Sequence, residues 1–313
     1  TEATPTRTDR GTSRVVHHLA SRPPPKARPI RELSLTAGRY VSDHRFGGGV
    51  SLATMTWIQR RAGLWVLLLL AVLQAAMTVV QFSGGNSPGG RGVDLLISPA
   101  PYAFAIWGVI YLLCAVHAAV VVRNGTAVAD QAALVAPLAA LYLSSASWSV
   151  AFTVGNSWLT FAVLVVMVAA ALRALRVAMT QPLRSGVRRW EARLESFTVG
   201  LYCGWVTVAV FVNLASALGD QELAEPASAG WQAVVLIFAL AAVLAALWLG
   251  RGSDGVAVAA VWALAAVVVN VGGQSVLLAV TSGIGIAAVL AVWLRTALAG
   301  DNTRRVDIAR GTS

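Results

Sequence analysis

Eight stretches of about twenty residues dominate this chain and leave it few ways to fold. They run near 64–82, 101–122, 132–153, 158–177, 198–218, 230–249, 255–271 and 274–294, and none contains Asp, Glu or Lys. The only Arg residues in them, Arg173 and Arg176, close the fourth. A helix advances about 1.5 Å per residue, so about twenty apolar residues cover the roughly 30 Å hydrocarbon layer of a bilayer. Two soluble domains would fit within 313 residues, but a chain with 12% charged residues cannot solvate their surfaces. Cys114 and Cys203, the only cysteines, lie inside apolar runs and frame no disulfide scaffold. The expected fold class is all-α, a polytopic α-helical membrane bundle of about eight transmembrane helices.

Turn-forming residues punctuate the stretches: GGNSPGGRG at 84–92, Gly155 with Asn156, and Glu225 with Pro226. Only Gly272 and Gly273 part the last two, so NVGGQ at 270–274 fits either a tight hairpin or a broken helix. No internal repeat of 20–50 residues is visible, which weighs against a transporter built from duplicated halves. Residues 1–56 differ from everything after them, with clustered prolines, scattered arginines and three of the four histidines. Such a stretch buries too little apolar surface to offset its chain entropy, and a disordered basic tail is expected. His17 and His18 read there as solvated neighbours rather than a metal site. The first Met is Met55, which makes a start at that residue one expectation. The apolar run to Phe82 is long for a signal-peptide core and no clear A-x-A-like site follows it, so a retained first helix is expected. Residues 296–313 read as a second tail.

The charges orient this layout. With a cytoplasmic N-terminus, the segments 1–63, 123–131, 173–197, 250–254 and 295–313 hold 23 of the 24 Lys and Arg residues, and only Arg91 lies opposite. The short segment with Arg173, Arg176, Arg184, Arg188, Arg189 and Arg193 sets the orientation alone under the positive-inside rule. Asp94, Asp220, Glu222 and Glu225 fall on the other side. A multi-pass protein of the cell membrane, with both termini cytoplasmic, is therefore expected. Its net charge of +10 reflects topology and contact with anionic membrane lipid, not nucleic-acid binding.

Ionisable groups inside a membrane are costly and mark function. The eight stretches offer His117 and no carboxylate, which disfavours a proton-coupled pump, a voltage sensor and an intramembrane metalloprotease. There is no H-E-x-x-H, G-x-S-x-G, P-loop or C-x-x-C. His117 has two readings, a haem ligand or a histidine hydrogen-bonded near the interface.

The 11 Trp residues outnumber the 8 Phe and the 5 Tyr. Trp57, Trp65, Trp158, Trp231, Trp248 and Trp293 lie at or near segment ends, where an indole sits at headgroup level. Trp107, Trp148, Trp205 and Trp262 lie deeper, where the N–H needs a partner. Phe104, Trp107 and Tyr111 fall at i, i+3 and i+7; Trp148 and Phe152 at i and i+4; Trp205, Ala209 and Asn213 at i, i+4 and i+8. Ser144, Ser145, Ser147 and Ser149 accompany the second pair. Such faces suit an apolar pocket with a few polar handles, and they equally suit close helix packing.

These residues resemble the translocator family, also called tryptophan-rich sensory proteins or peripheral-type benzodiazepine receptors (TspO/MBR). SPAPYAFAIWGVIYLL from Ser98 is similar to the family's proline-rich lead-in followed by an aromatic, a Trp and a Tyr. LYLSSASWSVAF from Leu141 resembles its segment ending in Trp-Ser and Phe. LYCGWVTVAVFVNLA from Leu201 has its Tyr-x-x-Trp, with Ala four and Asn eight residues later. Leu141 and Ser145 stand where the family usually has Gln and Asn, and Leu201 where it has Pro. More precisely, the chain resembles the longer bacterial branch with PAxYxFxIWGxIY in its second helix.

The likeness implies a five-helix translocator-like membrane unit over 57–218, followed by three further transmembrane helices over 219–295. It implies a binding protein rather than an enzyme, with a hydrophobic planar ligand such as a porphyrin or sterol between the helices, and a homodimer as a frequent state. By matched position the pocket residues are Trp107, Tyr111, Trp148, Phe152, Trp205, Ala209 and Asn213. The rings would stack the ligand, Asn213 and the Tyr111 hydroxyl would orient it, and Ala209 would leave room. No cofactor is expected beyond a tetrapyrrole as ligand. Two competing functions are a permease or exporter using all eight helices, and a lipid or isoprenoid enzyme for which the spans supply only His117.

Overall fold

The computed structural model describes residues 52–83 and 94–311, and its regular elements there are all helical. The expectations for residues 1–51 and for the 84–92 turn lie outside the described residues. In chain order the helices are α1 (Leu52–Ser83), α2 (Ile106–Asn124), α3 (Gln131–Val154) and α4 (Ser157–Thr180). They continue with α5 (Arg189–Asp220), α6 (Ala229–Leu249), α7 (Asp254–Val271) and α8 (Val276–Gly311). All eight contain a window long and apolar enough to cross a membrane.

The punctuation works as its chemistry dictates. Gly155 ends α3 in the left-handed conformation at φ 76°, and the Asn156 side chain accepts from Leu159 N at 3.0 Å to cap α4. Asp130 caps α3 in the same way, accepting from Ala133 N at 3.1 Å. Gly272 (φ 51°) and Gly273 (φ 95°) make the α7–α8 connection a tight hairpin whose helices pack on each other. The broken-helix alternative for 270–274 is thereby replaced.

Three helices outrun their apolar stretches. The backbone of α1 is already helical at Leu52, inside the expected tail, and that of α8 continues to Gly311 through the other one. The third, α5, starts at Arg189 rather than near residue 198. Apolar runs mark only the part of a helix that meets hydrocarbon, and a helix continues past it wherever no breaker intervenes.

The most buried of the eight is α5, which packs on α2, α4, α6 and α7. Its crossing with α7 depends on small residues. A Cβ on Gly204 would stand 2.9 Å from Val256 Cα, Val256 O and Ala259 Cβ. A Cβ on Gly255 would run into Phe197 O and Leu201 N, and one on Gly200 into the Ser253 hydroxyl. Gly200-x-x-x-Gly204 therefore lies against Gly255-x-x-x-Ala259, a small-residue crossing that lets two backbones touch. In lipid, where apolar side chains gain little from leaving their solvent, such close packing is a main source of helix association.

The segment leading into α2 is tied to this second layer. Ile97 N donates to Gln232 Oε1 of α6 at 2.9 Å, and Ala100 N donates to Ala266 O of α7 at 3.1 Å. The 3₁₀ turn Pro101–Ala105 follows, and Trp262 Nε1 of α7 donates to Ala103 O at 3.0 Å. Pro101 suits the start of that turn, where an N–H would lack an acceptor anyway. The indole of Trp262, deep in its segment, has thus found its partner.

Gly204→Val is expected to destabilise the protein by about 1–3 kcal/mol through forced separation of α5 and α7. Gly283→Ala in α8, with open space around the new methyl, is expected to change stability by at most about 1 kcal/mol. Thermal unfolding in detergent, followed by circular dichroism, compares the two.

Candidate functional site

The aromatic faces of α2, α3 and α5 meet around Trp107. Its ring stacks on Tyr111 (centroids 5.3 Å, 23° between planes) and on Trp148 (6.2 Å, 26°). Tyr202 and Trp205 present their edges to it at 5.9 and 6.0 Å, and Phe104 meets Trp205 edge-on at 6.0 Å. Phe152 joins through Trp148 at 5.4 Å. Offset and edge-on contacts of this kind suit the ring quadrupoles and add about 0.5–1.5 kcal/mol per pair beyond area burial. Trp107, Tyr111 and Trp205 are buried, while Trp148 and Phe152 are half-buried.

Ala209 and Asn213 stand apart from this cluster, one and two turns beyond Trp205 along α5. Asn213 Nδ2 donates to Ala209 O at 3.0 Å, so the amide donor turns back onto its own helix. The indole N–H groups of Trp148 and Trp205 are buried and have no acceptor among the described residues. A buried donor left so costs about 1–3 kcal/mol.

A polar layer lies under the rings. Thr78 Oγ1 donates to the Tyr111 hydroxyl at 3.1 Å, and that hydroxyl lies 3.3 Å from Ser145 Oγ. Ser149 Oγ is 3.4 Å from Thr78, and the Tyr202 hydroxyl donates to Gln74 Oε1 at 2.8 Å. Gln74 and Thr78 were not singled out from the sequence. Their signal is the buried polar row Gln74, Thr78 and Gln81, at i, i+4 and i+7 on an otherwise apolar helix.

Beside Trp107 a groove of about 860 Å³ opens between α1 and α2. Trp107, Tyr111 and Phe104 contribute rings to its lining, Thr78 a hydroxyl, and Gly108 and Ala75 make room. Its outer wall includes the exposed Val79, Tyr102 and Leu112. Of the expected pocket residues, Trp107 and Tyr111 line this groove. Trp148, Phe152 and Trp205 support it from behind, and Ala209 and Asn213 do not reach it.

Two carboxylates require a correction. The segment 173–197, expected from hydropathy to lie outside the spans, contains Glu191 and Glu195. The early start of α5 instead puts both on its buried face, at i and i+4. Glu195 is 2% exposed and lies 3.3 Å from His117 Nε2, itself 1% exposed. It also accepts from Ala127 N at 2.8 Å and Val128 N at 3.2 Å, fixing the loop between α2 and α3. Glu191 accepts from Asn124 Nδ2 at 2.9 Å and faces Arg184 at 3.6 Å. Arg184 N donates in turn to Ala127 O at 2.8 Å, and Ala129 N to Pro182 O at 2.9 Å, joining this loop to the one between α4 and α5. His117 is thus hydrogen-bonded through Nε2, while its buried Nδ1 has no partner among the described residues. Among the described residues no group of three His, Cys, Asp or Glu side chains is placed to hold a metal ion.

Eight apolar helices, an interior of rings and hydroxyls, and, among the described residues, carboxylates placed at or near the helix ends define a multi-pass helical membrane protein. The family model described as TSPO-like protein matches residues 61–295, three quarters of the chain, and the chain belongs to that family. The match extends through α6–α8, which the motif resemblance, ending near Leu218, left outside. No curated protein and no solved structure matches the chain.

Glu195→Ala removes the acceptor of two buried backbone N–H groups and of His117. It is expected to cost about 2–4 kcal/mol, since each stranded donor carries a desolvation penalty of about 1–3 kcal/mol, partly relieved by water at the bundle end. Glu195→Gln, which keeps one acceptor oxygen, should lose less. Unfolding midpoints of the two variants in detergent check the order.

Proposed function

We propose that this TSPO-like membrane protein binds a hydrophobic planar ligand, of tetrapyrrole or sterol type, against the Trp107–Tyr111 face. The observation that carries this reading is the 860 Å³ groove, which sets two stacked rings and a hydroxyl pair against an apolar wall. That volume lies within the roughly 300–1,000 Å³ of ordinary ligand sites. A flat ligand stacks on Trp107 as Trp148 does on the opposite face. Thr78 and Tyr111 offer hydroxyls to a carbonyl or carboxylate on it. In the α2–α5 layer this is the work of a binding or sensing protein, not an enzyme.

The same reading keeps the expected orientation. Arg123, Arg184, Arg188, Arg193 and Arg251 flank one end of the bundle and face the cytoplasm of a cell membrane, with both termini on that side. The groove then opens near the opposite leaflet. The exporter alternative loses its one candidate for a discontinuous helix, because 270–274 forms the α7–α8 hairpin.

Gly108 gives a clean test. A Cβ there meets nothing within 4 Å, so Gly108→Leu fills the groove without disturbing the helix contacts. Titration of the purified protein with protoporphyrin, read by tryptophan fluorescence, is expected to show binding that Gly108→Leu weakens at least about tenfold, or 1.4 kcal/mol. Trp107→Ala should weaken it as much. Wild-type affinity in both variants overturns the groove as the site.

A further inference from the structure

A second cavity, of about 410 Å³, lies at the arginine-rich end, lined by Met179 of α4, Arg193, Ser196 and Phe197 of α5, and Gly252, Ser253 and Asp254 at the start of α7. It belongs to neither the aromatic cluster nor the Glu195 clasp. Arg193, Phe197 and Gly200 fall at i, i+4 and i+7 on the face of α5 that meets α7, and Ser253 sits over Gly200. Ser253 is only 3% exposed, yet its hydroxyl does not cap α7 and has no hydrogen-bond partner among the described residues. Ala257 is the first residue of α7 to donate within the helix, to Ser253 O at 3.1 Å. The preceding N–H groups therefore point out of the helix end, where the helix dipole favours an anion.

The cavity carries both signs of charge. Arg193 stands on the α5 side with no carboxylate paired to it among the described residues. Asp254 stands on the α7 side, and one of its oxygens, Oδ1, accepts from Trp293 Nε1 of α8 at 2.8 Å. Its other oxygen is left for a further donor. Arg193, the Ser253 hydroxyl and the α7 N–H groups suit a phosphate; Asp254 suits an ammonium that can donate a hydrogen bond. Met179 and Phe197 supply an apolar wall for whatever follows the phosphate.

We infer that this cavity binds an ammonium-bearing phosphate ester, the headgroup of a phosphatidylethanolamine-type lipid, at the seam of α4, α5 and α7. The apolar wall and the position at the helix ends favour the lipid over a free phosphoethanolamine of the same chemistry. A quaternary ammonium cannot donate to Asp254, and an anionic headgroup without an amine meets its carboxylate unfavourably. Phosphatidylethanolamine is thus preferred over both phosphatidylcholine and phosphatidylglycerol.

Native mass spectrometry of the full chain, released from micelles with equal amounts of the three lipids, tests this. Wild-type protein is expected to retain phosphatidylethanolamine at least about fivefold over the other two, about 1 kcal/mol. Arg193→Gln, an exposed position where unfolding is not at issue, should abolish retention of all three. Asp254→Asn should keep phosphate-dependent retention but lose the preference for the primary amine. Binding of soluble phosphoethanolamine by delipidated protein, without lipid preference, assigns the same pocket chemistry to a free solute. Equal retention of the three lipids with no binding of the soluble ester overturns the inference, as does an unchanged preference in both variants.

Discussion

The close approach of α5 and α7 is the contact from which the rest of the bundle takes its positions. Inside lipid, apolar side chains gain little by leaving their solvent, so helices associate where their surfaces fit and their backbones can come near. Gly200, Gly204 and Gly255 provide that fit. With α7 seated, Trp262 and Ala266 are held where they receive the segment before α2, and that segment sets the height of Phe104 and Trp107. The aromatic cluster thus inherits its geometry in part from glycines on the opposite face of α5 and at the start of α7.

The interior divides into layers by what lipid tolerates. Rings and small hydroxyl groups occupy the middle, where a charge would be expensive. Many of the hydroxyls pair with one another, with Gln74 or with their own helix, while those of Tyr142, Thr198 and Ser282 have no hydrogen-bond partner among the described residues. Among the described residues carboxylates enter where the helices begin or end, and there each oxygen of Glu195 accepts from a backbone N–H. One layer offers stacking surface to an apolar ligand. The other fastens two loops that would otherwise expose backbone polar groups.

Much of this was legible in the sequence. The number of helices and their turns follow from apolar length and from Gly, Asn and Pro at the breaks. The mutual approach of Trp107, Trp148 and Trp205 follows from helical spacing on α2, α3 and α5. Two things were not legible, for physical reasons. Hydropathy detects lipid-facing length but not a helix that continues beyond it, so the start of α5 at Arg189, which buries Glu191 and Glu195, is not visible in the apolar run. Spacing identifies a face but not its neighbour, so Asn213 was grouped with Trp205 although its amide donor serves Ala209. The Gly200-x-x-x-Gly204 pattern was present in the sequence and carried the helix pairing that periodicity alone could not assign.

The three bonds that tie the lead-in of α2 to α6 and α7 bear on modularity. Cutting the chain after α5 would leave Ile97 N and Ala100 N without their acceptors, and Ala103 O with only Ile106 N, at the edge of a solvent that supplies none. It would also bare the glycine face of α5. In this chain the first five helices thus share backbone hydrogen bonds and a close glycine crossing with the three that follow. A shorter relative built on the same motifs must terminate those backbone groups by some other route, so an insertion or loss of α6–α8 during divergence entails rebuilding the start of α2 as well.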